Sequence, residues 1–157
     1  MITKNRLNII KNKALALKKI NNATNPEKIS KYLDIEILYR PYKKQLGAFT
    51  IINKIPFIFI NENLSYEEKQ IIIAHEMGHF LLHKKYLKDL LILRDYSLFS
   101  KREKEMEIEA NIFSAYLLID KKQLIELQNQ HKTNKEIANI LNVNVNLVEL
   151  ISNTDYN

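Results

Sequence analysis

Cysteine is absent from the 157 residues, which excludes disulfides, thiolate metal sites and cysteine nucleophiles together. Any metal ion would have to be held by His, Asp, Glu and water. Glycine occurs only twice, at Gly47 and Gly78, so each invites a reason. Long apolar runs are missing too: Ile71–Ala74 and Leu90–Leu93 fall far short of the ~20 residues a membrane span needs. The first residues, MITKNRLNIIKNK, scatter charge where a secretory signal would carry an apolar stretch. The expectation is a soluble, cytoplasmic protein with no membrane contact. No Gly/Ser/Pro-rich linker divides the chain, and no internal repeat is visible.

What is present suits a globular fold: 46% hydrophobic and 27% charged residues, enough apolar material for a real core. The net charge of +6 is uneven. Residues 1–44 hold eleven Lys/Arg against three Asp/Glu, and the remainder thirteen against fifteen. A basic first helix can steer an acidic or nucleic-acid partner. With Lys abundant along the chain, a solvated helix face is the preferred reading.

Helix starts are marked by capping boxes, in which an N-cap side chain and a residue three positions later satisfy each other's backbone donors. Ser65 with Glu68, Ser100 with Glu103 and Thr133 with Glu136 fit this pattern, and Asp120 with Gln123 fits it loosely. They predict helices over about 65–84, 101–118, 121–130 and 134–141. Upstream, Leu7, Ile10, Ala14 and Leu17 mark an amphipathic helix over 4–20, and Pro26 opens a short one ending near Leu33. Ile35–Arg40, Ala48–Ile52 and Ile55–Ile60 read as strands, with Asn53-Lys54 as a tight hairpin turn and Pro56 suggesting an edge strand. Residues 85–100 carry no clear signal and suit a loop over a cleft. The predicted class is α+β, a small three-stranded antiparallel sheet packed with helices and followed by an all-helical C-terminal end. The expected division is a main domain over 1–120 and a helical extension over 121–157.

Within the helix that starts at Ser65 stands His75-Glu76-Met77-Gly78-His79. Histidines at i and i+4 project from one helix face and can converge on one ion, at the ~2.0–2.1 Å that Zn–N bonds require. Glu76 lies about 100° around the helix, where a carboxylate can act as a general base beside the metal. Apolar residues precede and follow the motif, so the helix is expected to be buried, where two histidines and a glutamate need a shared purpose. Gly78, on the metal-facing side, costs about 1 kcal/mol against alanine, and it would let another element or a substrate approach closely. A plain packing contact is the alternative. A catalytic zinc takes a third protein ligand. His83, one turn beyond His79, cannot easily close that sphere and reads as a supporting or packing residue, and His131 lies in a polar, exposed stretch. The donor region is Glu103 to Asn111 in the next long helix, where Glu107 and Glu109 are rivals.

HEMGHFLLH, followed after a loop by EIEANIFSAYLL, resembles the ImmA/IrrE family of zinc metallopeptidases. Members carry HExxH and then a Glu-x-x-Ala-Asn/Asp-x-Phe-Ala-x-x-Leu-Leu segment. IPFIFINENLSYEEKQIIIAHE also looks like the family's strand leading into its active-site helix, and the resemblance spans roughly residues 30–120. It implies a zincin-like domain in which His75 and His79 bind Zn2+, Glu76 is catalytic and Glu107 is the third ligand. Glu109 points about 200° away from Glu107, whereas Asn111 at i+4 shares its face and can orient a ligand.

The implied reaction is peptide-bond hydrolysis with Glu76 carrying the proton. Tyr86, Arg94, Tyr96 and Tyr116 are chemically suited to donate to the oxyanion, and spacing does not choose among them. The Ala48–Ile60 hairpin, with Gly47 at its entry, could receive an extended substrate. The resemblance implies a narrow protein target, a phage- or mobile-element-type repressor of helix-turn-helix kind or another regulator. Residues 135–148 have a helix-turn-helix rhythm of their own, but the second helix, from Val145 to Ser152, carries Glu149 and no Lys or Arg. A helix pair docked on the core is therefore preferred to direct nucleic-acid binding. The competing function is a non-catalytic zinc-containing regulatory protein that binds a repressor or DNA.

Overall fold

A computed structural model describes the backbone of residues 2–21, 25–90 and 101–155. Helix α1 (Lys4–Asn21) and α2 (Pro26–Tyr32) precede three strands, β1 (Glu36–Arg40), β2 (Gly47–Ile52) and β3 (Ile55–Asn61). Two long helices follow, α3 (Tyr66–Leu90) and α4 (Lys101–Leu118), and then three shorter ones, α5 (Lys121–Asn129), α6 (Asn134–Leu141) and α7 (Val145–Asp155).

The helix starts obey their caps. Ser65 and Glu68 exchange both bonds of the box, at 2.8 and 3.2 Å. Thr133 and Glu136 do the same at 2.8 and 3.3 Å, while Asp120 caps its helix by accepting from the Gln123 amide at 3.0 Å. The Ser100–Glu103 box lies outside the described residues. Pro26 stands in the first turn of α2, with Asn25 as the N-cap. Helix α3 runs six residues past its expected end at 84, because Lys85 to Leu90 contain neither Gly nor Pro to stop it.

The fold is α+β as expected, but the sheet is mixed rather than antiparallel. Its order is β1-β3-β2, with β2 antiparallel to β3 and β1 parallel to it. Asn53 and Lys54 both adopt positive φ, the two-residue turn that matches strand twist, and they fold β2 back on β3. The strand apolar on both faces then takes the centre: Ile58 and Ile60 are buried inward, and Phe57 and Phe59 stack on the outer face. Residues 41–46 carry the chain from β1 across to the far edge. Asn61 holds that crossing, its side-chain amide donating to the Tyr42 and Gln45 carbonyls at 2.9 and 3.0 Å.

Pro56 therefore sits in the central strand and not at an edge. The turn makes Ile52–Ile55 the hydrogen-bonded pair, so at the next pair, Ile51–Pro56, the proline nitrogen faces away from β2. It faces the side where β1 begins to pair only at Phe57, so no ladder bond is lost.

One face of the sheet packs on α3, which also meets α2 and α4; α4 in turn touches α1 and α7. The core gathers Ile10 and Ala14 of α1, Ile58 and Ile60 of β3, Ile73 and Met77 of α3, and Phe113 and Leu117 of α4. Leu147, Val148 and Ile151 of α7 complete it on the far side. No helix among the described residues is long and apolar enough to cross a membrane.

At Gly78 the backbones of α3 and α4 come into close contact. A Cβ there would stand 3.1 Å from Ala110 Cα, 3.2 Å from the Ala110 carbonyl oxygen and 3.2 Å from the Phe113 ring. The element that approaches the glycine is thus the backbone of α4. Gly78→Ala recovers about 1 kcal/mol of helix propensity but overpacks a closed crossing, at about 1–3 kcal/mol. The expected outcome is a lower urea midpoint, with the denaturant slope unchanged.

Candidate metal centre

The i, i+4 spacing on α3 stacks His75 and His79, whose ring centroids lie 4.7 Å apart. Their Nε2 atoms face each other at 3.0 Å. From α4, Glu107 reaches the same point, one carboxylate oxygen 3.2 Å from His75 Nε2 and the other 3.2 Å from His79 Nε2. One ligand atom from each of the three residues lies within 4.8 Å of the others, a group that could hold a metal ion. His79 is buried, His75 largely so, and Glu107 is half exposed, which leaves the cluster open on the Glu107 side.

Proton positions follow from the partners. Asn111 Oδ1 accepts from His75 Nδ1 at 2.9 Å, so the His75 proton lies on Nδ1 and its Nε2 lone pair points into the cluster. Three acceptors crowded together favour positive charge among them. Burial pushes the Glu107 carboxyl up, but hydrogen bonds from His75 and His79 in their doubly protonated forms outweigh it and hold the group well below the usual carboxylate range. Burial likewise pulls His75 down, and the bond to Glu107, with the Glu76 and Glu107 charges and Asn111, raises it above its ordinary value.

Glu76 is buried, 6% exposed, and its Oε2 has no hydrogen-bond partner among the described residues. A buried carboxylate oxygen without a partner is costly unless a transient partner visits it. Gly47, at the start of β2, packs directly over this residue: a Cβ there would lie 3.5 Å from Glu76 Cγ and 2.4 Å from Ile72 Cγ2. Both glycines of the chain therefore border the site, one under α4 and one under the sheet edge.

Glu109 stands apart from the cluster. It receives both Arg6 donors, Nε at 2.8 Å and a terminal guanidinium nitrogen at 2.5 Å, and His83 Nε2 at 2.8 Å. Burial works against its charge, and Arg6 and His83 outweigh that and hold its carboxyl down. His83 lies one turn past His79, its Nδ1 3.3 Å from His79 Nδ1. Burial outweighs Glu109 there and keeps the His83 pKa below its ordinary value. His131 is exposed at a turn, as expected.

Sequence reasoning left Arg6 unnoticed among the basic residues of α1, and it meets Glu109 from 103 positions away. Of the suggested oxyanion donors, Tyr116 faces the wrong way. Its hydroxyl pairs with Thr154 Oγ1 on α7, and Lys11 of α1 lies over its ring. Tyr86 is half exposed near the end of α3, while Arg94 and Tyr96 lie outside the described residues.

A protein family and two known proteins are among those similar to the chain. The family described as the IrrE N-terminal-like domain, Peptidase M78, matches residues 30–150. A protein named "uncharacterized immunity region protein 2", from Bacillus phage phi105, is 28% identical over 153 residues, covering 96% of this chain and 94% of that one. The "metallopeptidase ImmA" of Bacillus subtilis (strain 168) is 35% identical over 74 residues, 44% of this chain and 37% of that protein. With the family match extending over most of the chain, and a His/His/Glu cluster on its two central helices, this protein belongs to the ImmA/IrrE family of peptidases.

Proposed function

We propose that the chain is a zinc-dependent endopeptidase that cleaves one specific intracellular protein, a transcriptional repressor of phage or mobile-element type. The observation that carries this reading is the buried, partnerless Glu76 oxygen beside two histidine Nε2 atoms 3.0 Å apart, each 3.2 Å from a different oxygen of the Glu107 carboxylate. Tetrahedral ligands ~2.0–2.1 Å from zinc stand about 3.3 Å from one another, so this donor set fits the ion. Two histidines and a glutamate leave one position open, which is the catalytic rather than the structural type. His75, His79 and Glu107 would hold it. When bound, zinc supplies Lewis acidity, polarising the scissile carbonyl and acidifying water.

The chain's own groups do the rest. Glu76 takes the proton from the attacking water and returns it to the leaving amine, work its enclosed carboxylate can do without breaking a bond to another side chain. Strand β2 pairs only with β3 among the described residues, so its outer edge is free for an extended peptide. Gly47 brings that edge against Glu76 with no side chain between them. The phage relative's name places that protein in an immunity region, which supports a regulator as the target.

Three outcomes test this. Glu76→Gln is expected to keep stoichiometric zinc by atomic absorption yet lose target cleavage by at least a hundredfold, and to co-purify with its uncut target. If the function were non-catalytic, the same variant would retain full activity in cells. Glu107→Ala is expected to lose zinc at concentrations that saturate the wild type. His75 must be neutral to bind metal, and its raised pKa keeps it protonated to higher pH than an ordinary histidine. Zinc affinity is therefore expected to fall as pH is lowered, starting above the ordinary value of 6.5, with protons released on binding in buffers of differing ionisation enthalpy.

A further inference from the structure

His83 is the most enclosed histidine of α3, 2% exposed, yet it stands outside the ligand cluster. A buried imidazole needs partners for both nitrogens, and here both partners are identifiable. Glu109 is a carboxylate and only accepts, so His83 Nε2 donates to it. The charge of Glu109 is met by the bidentate Arg6 guanidinium, so His83 has no need to be cationic. A neutral His83 protonated on Nε2 presents Nδ1 as an acceptor, and the atom facing it is His79 Nδ1. The proton in that contact belongs to His79, whose Nε2 is then a free lone pair directed at His75 and Glu107.

We propose that Arg6, Glu109 and His83 form a positioning chain that holds His79 in its Nδ1–H tautomer and so presents Nε2 to the metal. The proposal rests on the reading of His79 as a metal ligand. It assigns Glu109, which sequence spacing left as a rival ligand, to the support of a ligand instead. It also gives the two histidines unequal support. His75 Nδ1 is held, among the described residues, by Asn111 through one bond from α4. His79 is oriented through residues on α3, α4 and α1, so the first helix of the chain must be docked before the ligand is set. Outer partners of ligating histidines of this kind typically change metal affinity 10–100-fold when removed.

The first measurement is the tautomer itself. In metal-free wild-type protein with 15N-labelled histidine, two-bond 1H–15N spectra are expected to show His79 protonated on Nδ1 and His83 on Nε2. His79 protonated on Nε2, or a His83 ring carrying both protons, overturns the proposal. The second is zinc affinity by chelator competition in Arg6→Ala, Arg6→Lys and Glu109→Ala, with folding checked by circular dichroism. Glu109→Ala and Arg6→Ala are expected to bind zinc about 10–100-fold more weakly, and Arg6→Lys to recover part of the loss. Arg6 is 33% exposed and lines a cavity of about 520 Å3, so its variants keep the test open if Glu109→Ala does not fold. Affinities equal to wild type in the folded variants overturn the chain alone. A wild type that takes up no zinc overturns the metal reading, and the tautomer spectrum still decides how His79 is held.

Discussion

The close crossing of α3 and α4 at Gly78 and Ala110 is the contact on which the rest of this structure depends. Because α3 lacks a side chain at that point, the α4 backbone comes close enough for Glu107 to meet both histidine Nε2 atoms. The same approach sets Asn111 against His75 and Glu109 against His83. Alternate positions on one stretch of α4 thus serve different residues on α3, since each step of a helix turns the side chain by about 100°. A wider crossing would loosen all of these contacts together, because one pair of helix axes governs them.

Burial makes this crossing electrostatically demanding. Three carboxylates (Glu76, Glu107, Glu109) and three histidines (His75, His79, His83) stand in or beside the core, and each would be costly without a partner. The structure meets the cost in two ways. On one side, Arg6 neutralises Glu109, and the hydrogen bonds run onward through His83 in a closed series of donors and acceptors. On the other side, the series ends in three acceptor atoms and a bare Glu76 oxygen. The asymmetry is chemically meaningful: one half has its donors and acceptors matched, and the other leaves acceptor atoms together that could hold a metal ion.

The sheet contributes less to charge than to access. It covers α3 on one face and leaves β2, among the described residues, as an unpaired edge over Glu76. Its mixed order follows from an apolar central strand that needs neighbours on both sides, a need that a simple meander of β1, β2 and β3 would not have met. The six-residue crossing that makes this possible is held by the buried amide of Asn61.

Much of the site was readable along the chain because its rules are local. The i, i+4 pairing of His75 and His79, the place of Glu76 beside them and the shared face of Glu107 and Asn111 all follow from helix geometry over a few residues. The caps at Ser65 and Thr133 and the turn at Asn53-Lys54 are likewise decided by side chains bonding to nearby backbone or tolerating positive φ. Strand order, the place of Pro56, the exclusion of Tyr116 and the pairing of Arg6 with Glu109 were not readable. These depend on which surfaces meet after the chain has folded, and no local periodicity encodes a contact between residues 103 positions apart. The sequence by itself determined which chemistry the helices carry; only the tertiary structure decided which carboxylate faces the histidines, because that choice belongs to the packing of two helices and not to either one.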